Sequence, residues 1–179
     1  LEAVSYLGLT KSFYAAGDVD ALQIGKDAFT VEGTMVSDVG VAHTVRVAYT
    51  RLPPVKTFVI DASPPETLAS VIGRFPVVIL SPENSAITFG GPAERRRFLD
   101  LTLSQVSSAY LRNVLEYRRA LKQRNRVLFE GRVRGAPVTG VIEPWTESLV
   151  HYGSRIAHRR QAFVGEFRSY ILDAYRRLV

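Results

Sequence analysis

The chain has 179 residues, 46% of them hydrophobic and 22% charged, enough for one substantial core or two small ones and unlike a disordered or fibrous composition. With no cysteine it has no disulfide framework, thiolate metal site or cysteine nucleophile, which suits a cytoplasmic protein. A net charge of +6 makes a polyanionic partner worth testing, while the apolar runs are too short for a membrane span and no secretory start is present.

Leu1-Glu2-Ala3-Val4-Ser5-Tyr6-Leu7 is helical in period but has no capping residue before it. Strand-type alternation follows: Phe29, Val31 and Met35 share one face of residues 28–36, and Val45, Val47 and Tyr49 share one face of 43–50. Lys56 to Ile60 is a third short run, with Ser37-Asp38-Val39-Gly40 and Leu52-Pro53-Pro54 as turns between them. These predict an antiparallel meander. Ser63 is expected to cap a helix that takes Pro64 and Pro65 in its first turn and ends near Gly73. Phe75 to Leu80 is a continuous apolar run that fits a strand buried on both faces, and Ser81-Pro82-Glu83 starts a short helix.

Beyond Gly90-Gly91-Pro92 the period becomes helical. A helix over residues 92–105 carries Glu94 in its first turn, and Ser107 or Ser108 can cap a second helix running to about Glu130. Leu103, Val106, Tyr110, Val114, Tyr117 and Leu121 recur every three or four residues, as do Trp145, Leu149, Tyr152 and Ile156, and then Phe163, Phe167, Tyr170 and Ala174. Two such stripes let antiparallel helices keep knobs facing holes. The second helix, roughly 35 residues against roughly 22, is expected to overhang its partner and touch something else. It reaches Leu178-Val179 without a stop signal. Two uncapped helical ends suggest a segment of a longer protein. The fold class expected is α+β, a small antiparallel β-sheet with short helices followed by an α-helical arm, with the domain boundary between residues 1–91 and 92–179.

Charge divides at the same place. Residues 1–90 hold six Lys and Arg against nine Asp and Glu, a net of −3, while residues 91–179 hold 17 against eight, a net of +9. Arg112, Arg119, Lys122 and Arg126 line one face of the first arm helix, with Arg118 and Arg124 widening the band. That stripe is either a solvated, internally paired face or a phosphate contact. Arg95-Arg96-Arg97 lie near a helix start, where the dipole disfavours cations, so acidic neighbours or a bound polyanion must favour them. Arg159-Arg160 interrupt the apolar stripe, which suits aliphatic stems that pack while the charged heads reach water.

Catalytic signals are missing. The sequence holds no G-x-x-x-x-G-K-[ST] loop, G-x-G-x-x-G, H-E-x-x-H or G-x-S-x-G. His43, His151 and His158 are too scattered for a metal site, and the basic half offers no paired carboxylates for acid and base roles. No catalytic, cofactor-binding or metal-ligating residue is nominated. The candidate nucleic-acid contacts are Arg95, Arg96, Arg97, Arg112, Arg119, Lys122 and Arg126.

The string from Ser81-Pro82-Glu83 to Gly90-Gly91-Pro92-Ala93-Glu94-Arg95-Arg96-Arg97-Phe98-Leu99-Asp100 closely resembles the RecF family of bacterial recombination mediators. Ser104-Gln105, Ala109-Tyr110-Leu111, Leu121-Lys122-Gln123-Arg124-Asn125, Trp145 and Arg159-Arg160 extend the resemblance, and Leu1-Glu2-Ala3-Val4 resembles the helix that follows the family's phosphate loop. Lys11-Ser12-Phe13 resembles a Gly-Arg-Ser-Phe-Arg segment, with Thr10 and Lys11 in place of Gly-Arg and Tyr14 in place of the last Arg. The resemblance implies an ABC-type ATPase related to the SMC and Rad proteins, active in DNA repair, replication, recombination and the SOS response. It would bind DNA as an ATP-dependent homodimer and act with RecR and RecO to load RecA at gaps. ATP and magnesium would be held by a phosphate loop, signature motif and Walker B residues that this sequence lacks, so no ATP binding or hydrolysis is expected of the segment alone. An alternative gives the basic arm a protein partner such as RecR in place of DNA.

Overall fold

The computed structural model describes residues 2–135 and 137–178. They form two compact units, one up to Arg95 and one from Arg96 onward.

In the first unit α1 (Glu2–Leu9) precedes three strands, β1 (Ala28–Val36), β2 (Ala42–Thr50) and β3 (Val55–Ile60), paired antiparallel in the order β1-β2-β3. The alternation sets the register: Val31 stands opposite Val47, which stands opposite Phe58, and Val45 lies between Gly33 and Ile60. One face of the sheet is therefore apolar, and Tyr6 and Leu7 of α1 close over Val45, Val47, Phe58, Ile60 and Val71. Partly buried Phe29, Val31, Met35 and Phe75 complete this core. The β1–β2 turn uses Gly40 at φ +80°, a conformation with no steric penalty for glycine.

Two expectations fail in the next stretch. Ser63 caps no helix but bonds back to Ile60 through both backbone groups at 2.9 Å, after Asp61 and Ala62 turn the chain at positive φ. Pro64 and Pro65 carry no N–H, and a residue before proline is steered away from helical backbone, so helix formation waits for Thr67. Thr67 Oγ1 accepts from Ser70 N at 3.2 Å and caps a single 3₁₀ turn, Leu68–Val71. Phe75 to Leu80 joins no ladder among the described residues, and Val78 is 97% and Leu80 92% exposed. A doubly buried strand needs neighbours on both edges and cover on both faces. Here one side meets α1, where Gly8 lies against Val77 and Phe75, and the other stays open. Pro82–Ser85 forms a 3₁₀ turn as expected, leading into α2 (Ala86–Phe89).

The second unit holds most of α3 (Pro92–Val106), α4 (Ser108–Arg134) and α5 (Glu143–Leu178). Ser107 breaks the chain between the first two, with extended backbone and its side chain accepting from Tyr110 N. Gly135 ends α4 in the left-handed region at φ +62°, and Arg132 and Arg134 complement the dipole there. Contacts between Tyr117 and Gly153, and between Arg124 and Thr146, run in opposite chain directions, so α4 and α5 form an antiparallel hairpin. Leu103, Tyr110, Val114 and Ile156 make its core, flanked by Tyr117 and Phe163. Val106 departs from the expected stripe at 67% exposed, because α3 ends there. Ala120, 3% exposed, is buried where Leu121 was expected, and Leu121 is 36% exposed. With 36 residues against 27, α5 outruns α4, and every residue from Val164 to Leu178 is exposed. The observed class is α+β, as expected. No helix among the described residues is long and apolar enough to cross a membrane.

Candidate nucleic-acid interface

The outward face of α4 follows from its buried one: once Tyr110, Val114, Tyr117 and Ala120 turn inward, Arg112, Arg119, Lys122 and Arg126 fall on solvent. Arg112, Arg119 and Lys122 have no ion pair among the described residues. Arg126 differs, since its Nε donates to Glu130 Oε1 at 2.7 Å one turn on. That bond raises the Arg126 pKa and lowers that of Glu130. The two residues expected to widen the band are drawn aside: Arg124 Nε donates to Thr146 Oγ1 at 3.3 Å, and Arg118 Nη2 stands 3.7 Å from Asp100 Oδ2.

The arginine triplet divides as well. Arg95, in the first unit, donates from Nη1 to the Gly90 carbonyl at 2.9 Å. Arg96 and Arg97, in the second, are exposed with no ion pair among the described residues. Of the seven expected contacts, Arg126 alone has a carboxylate partner among these residues. A cation without an ion pair on a solvated helix face displaces no partner when it meets a phosphate, whereas a paired one must first give up its partner.

One polar cluster was not foreseen. Arg160 was expected to send its head to water, yet its Nη2 donates to Asp100 Oδ1 at 2.7 Å and its Nε to the Tyr110 hydroxyl at 3.0 Å. The Tyr110 hydroxyl in turn donates to the same Asp100 oxygen at 2.5 Å. Burial, strengthened by the bond to Asp100, pushes the Tyr110 pKa up to about 12. For Arg160 burial works against the charge, but the bonds to Asp100 and Tyr110 outweigh it and the pKa rises. The signal lay in position: Arg160 falls four residues after Ile156 and three before Phe163, on the buried stripe.

No group of three His, Cys, Asp or Glu side chains placed to hold a metal occurs among the described residues. His43 Nδ1 pairs with Asp61 Oδ2 at 2.7 Å on the first unit, and this bond lowers the Asp61 pKa. A cradle for ATP phosphates does not fit these residues either. The glycine pair before α3 leads into Pro92, which has no N–H, and no Lys-Ser or Lys-Thr follows.

No protein-family model matches the chain. It is 44% identical over 179 residues to the DNA replication and repair protein RecF of Salinibacter ruber, covering 99% of this chain and 43% of that protein. RecF of Chloroherpeton thalassium is 41% identical over 175 residues, covering 98% and 47%. A solved structure of the recombination mediator protein RecF-ATPrS in the RecFOR pathway superposes with a TM-score of 0.85 at 25% identity, over 94% of this chain and 45% of that one. The corresponding RecF-ATP structure matches in fold with a TM-score of 0.87 at 24% identity, over 94% and 44%. The resemblance to RecF thus runs through nearly the whole chain, and the chain spans less than half the length of these relatives.

Proposed function

We propose that the chain is part of a RecF-type DNA replication and repair protein, in which residues 1–91 contribute the β-rich part of an ATPase head lobe and residues 92–179 form an arm that grips DNA phosphates. The observation that carries this reading is the set of exposed cations on α4 that have no ion pair among the described residues, namely Arg112, Arg119 and Lys122. With Arg96 and Arg97 they offer sequence-independent charge, as a protein acting wherever a gap arises requires. Binding as an ATP-dependent homodimer, with ATP and magnesium held outside this segment, and action with RecO and RecR to load RecA belong to the same reading.

The test is duplex binding by the full-length protein across a salt series. A steep fall in log K with log salt is expected, and Arg119→Glu with Lys122→Glu should weaken DNA binding while ATP affinity stays near normal. A flat salt plot, or unchanged affinity in the double variant, overturns phosphate gripping by this face. The exposed apolar side chains of distal α5, Phe167, Ile171 and Leu172, favour a second reading in which the arm docks a partner subunit such as RecR. Binding to that subunit without binding to random-sequence duplex would decide for it.

A further inference from the structure

Within a helix, a carboxylate three or four residues from an arginine is its nearest neutralising partner. On α3 the carboxylates in that range are Glu94, three residues before Arg97, and Asp100, three after Arg97 and four after Arg96; Asp100 alone reaches both. It is engaged elsewhere. Its Oδ1 takes the Arg160 guanidinium at 2.7 Å and the Tyr110 hydroxyl at 2.5 Å, and its Oδ2 lies 3.7 Å from Arg118. The competition favours this arrangement on physical grounds. The side chains of Arg160 and Asp100 are only 23% and 16% exposed, so their attraction is less screened than any pairing of Asp100 with the solvated Arg96 or Arg97. Arg160 also brings a fixed fork of donors that satisfies Tyr110 and Asp100 together.

We propose that Arg160 is a positioning residue for the basic surface of α3: by holding Asp100 against Tyr110 it keeps Arg96 and Arg97 unneutralised and open to the phosphates of a nucleic-acid backbone. The inference rests on the DNA-binding reading above and adds a role for a residue whose own guanidinium is spent inside the protein. Loss of Arg160 then does more than delete one cation. It frees a carboxylate one helical turn from Arg96 and Arg97, where its single negative charge can offset one of the two.

The experiment measures affinity of the full-length protein for a random-sequence duplex oligonucleotide over a salt series. Arg160→Gln should weaken binding about three- to tenfold at low salt and lower the slope of log K against log salt by about one. Adding Asp100→Asn removes the freed carboxylate and should return the slope to the wild-type value, which a purely structural role or direct phosphate contact by Arg160 would not do. Arg160→Lys, which keeps a cation beside Asp100, should hold the wild-type slope. If Arg160→Gln loses its cooperative melt, the Asp100→Asn/Arg160→Gln and Arg160→Lys variants carry the test, and a reduced slope in the double variant overturns the proposal. An unchanged slope in a folded Arg160→Gln overturns it as well. If Arg96→Gln with Arg97→Gln leaves the slope untouched while Arg119→Glu with Lys122→Glu lowers it, the proposal fails and the DNA reading stands. A flat wild-type slope removes both.

Discussion

Arg160 of α5 and Asp100 of α3 are 60 residues apart in sequence and joined by a 2.7 Å hydrogen bond that Tyr110 of α4 shares. Three helices meet at one carboxylate. Asp100→Ala would leave a half-buried guanidinium and a buried phenol without their acceptor, and is expected to destabilise the second unit by about 2–4 kcal/mol. Tyr110→Phe, which leaves the charged pair intact, should cost about 1 kcal/mol. Trp145, the single tryptophan, lies on α5, so its fluorescence during urea unfolding reports this unit. Equal costs for the two substitutions would show that Asp100 and Arg160 contribute no more than an ordinary neutral hydrogen bond.

The partner on Glu130 sets Arg126 apart from the rest of the α4 face. Arg119→Ala is expected to weaken duplex binding about three- to tenfold at low salt, the effect of one lost phosphate contact. Arg126→Gln made together with Glu130→Gln should change it less than about twofold, because the two charges removed already balance each other. Glu130→Gln should tighten binding by releasing Arg126. A filter-binding series on the full-length protein ranks the three, and a larger loss in the double variant than in Arg119→Ala would mean that Glu130 yields its partner readily.

High pH should unfold the protein through two tyrosines. Burial, with Asp18 close by, pushes Tyr6 up to about 12, and burial with the Asp100 bond does the same for Tyr110. In the unfolded chain both phenols ionise near pH 10. Between about pH 10 and 12 the unfolded state therefore holds fewer protons than the native one, and stability falls as pH rises. The stabilisation is fully present below about pH 10, and its loss is bounded by about 2–3 kcal/mol for each tyrosine. Tyr110→Phe should remove most of the fall in stability of the second unit, followed by Trp145 fluorescence in urea at pH 9 and pH 11.5, and an unchanged pH dependence would assign the loss to other groups.

What was legible in the sequence is what period alone decides. A two-residue alternation sets Val45, Val47 and Tyr49 on the core side of β2, and those residues are buried. Ser107 was readable as a cap because its hydroxyl answers a local need, the free N–H of Tyr110. The failures lie where a distant partner decides. Phe75 to Leu80 has the composition of a central strand but no ladder among the described residues, and composition does not reveal whether neighbours are at hand. Ser63 has the chemistry of a cap but is held by Ile60, and the two prolines after it outweigh that chemistry. At the site, exposure of the α4 stripe followed from helical geometry, whereas the inward turn of Arg160 depended on Asp100 and Tyr110, 60 and 50 residues away.

Close approach of α1 to its neighbours gives a test of packing in the first unit. A Cβ at Gly8 would overlap the Val77 side chain and stand 2.8 Å from the Phe75 carbonyl oxygen, which cannot move without shifting backbone. A Cβ at Gly33 of β1 would meet only the tip of Leu7, at 2.7 Å. Alanine gains about 1 kcal/mol of helix propensity at Gly8, but the overlap should exceed it and leave Gly8→Ala destabilising by about 1–3 kcal/mol. Gly33→Ala should stay within about 1 kcal/mol, since a rotation of Leu7 relieves the contact and a strand prefers a side chain to none. Native-state amide exchange in the β1–β3 ladder across a guanidinium series follows this unit, whose strands carry no tryptophan. If Gly33→Ala proved the more damaging of the two, the 75–77 segment would not be pressed against α1 as closely as the structure places it.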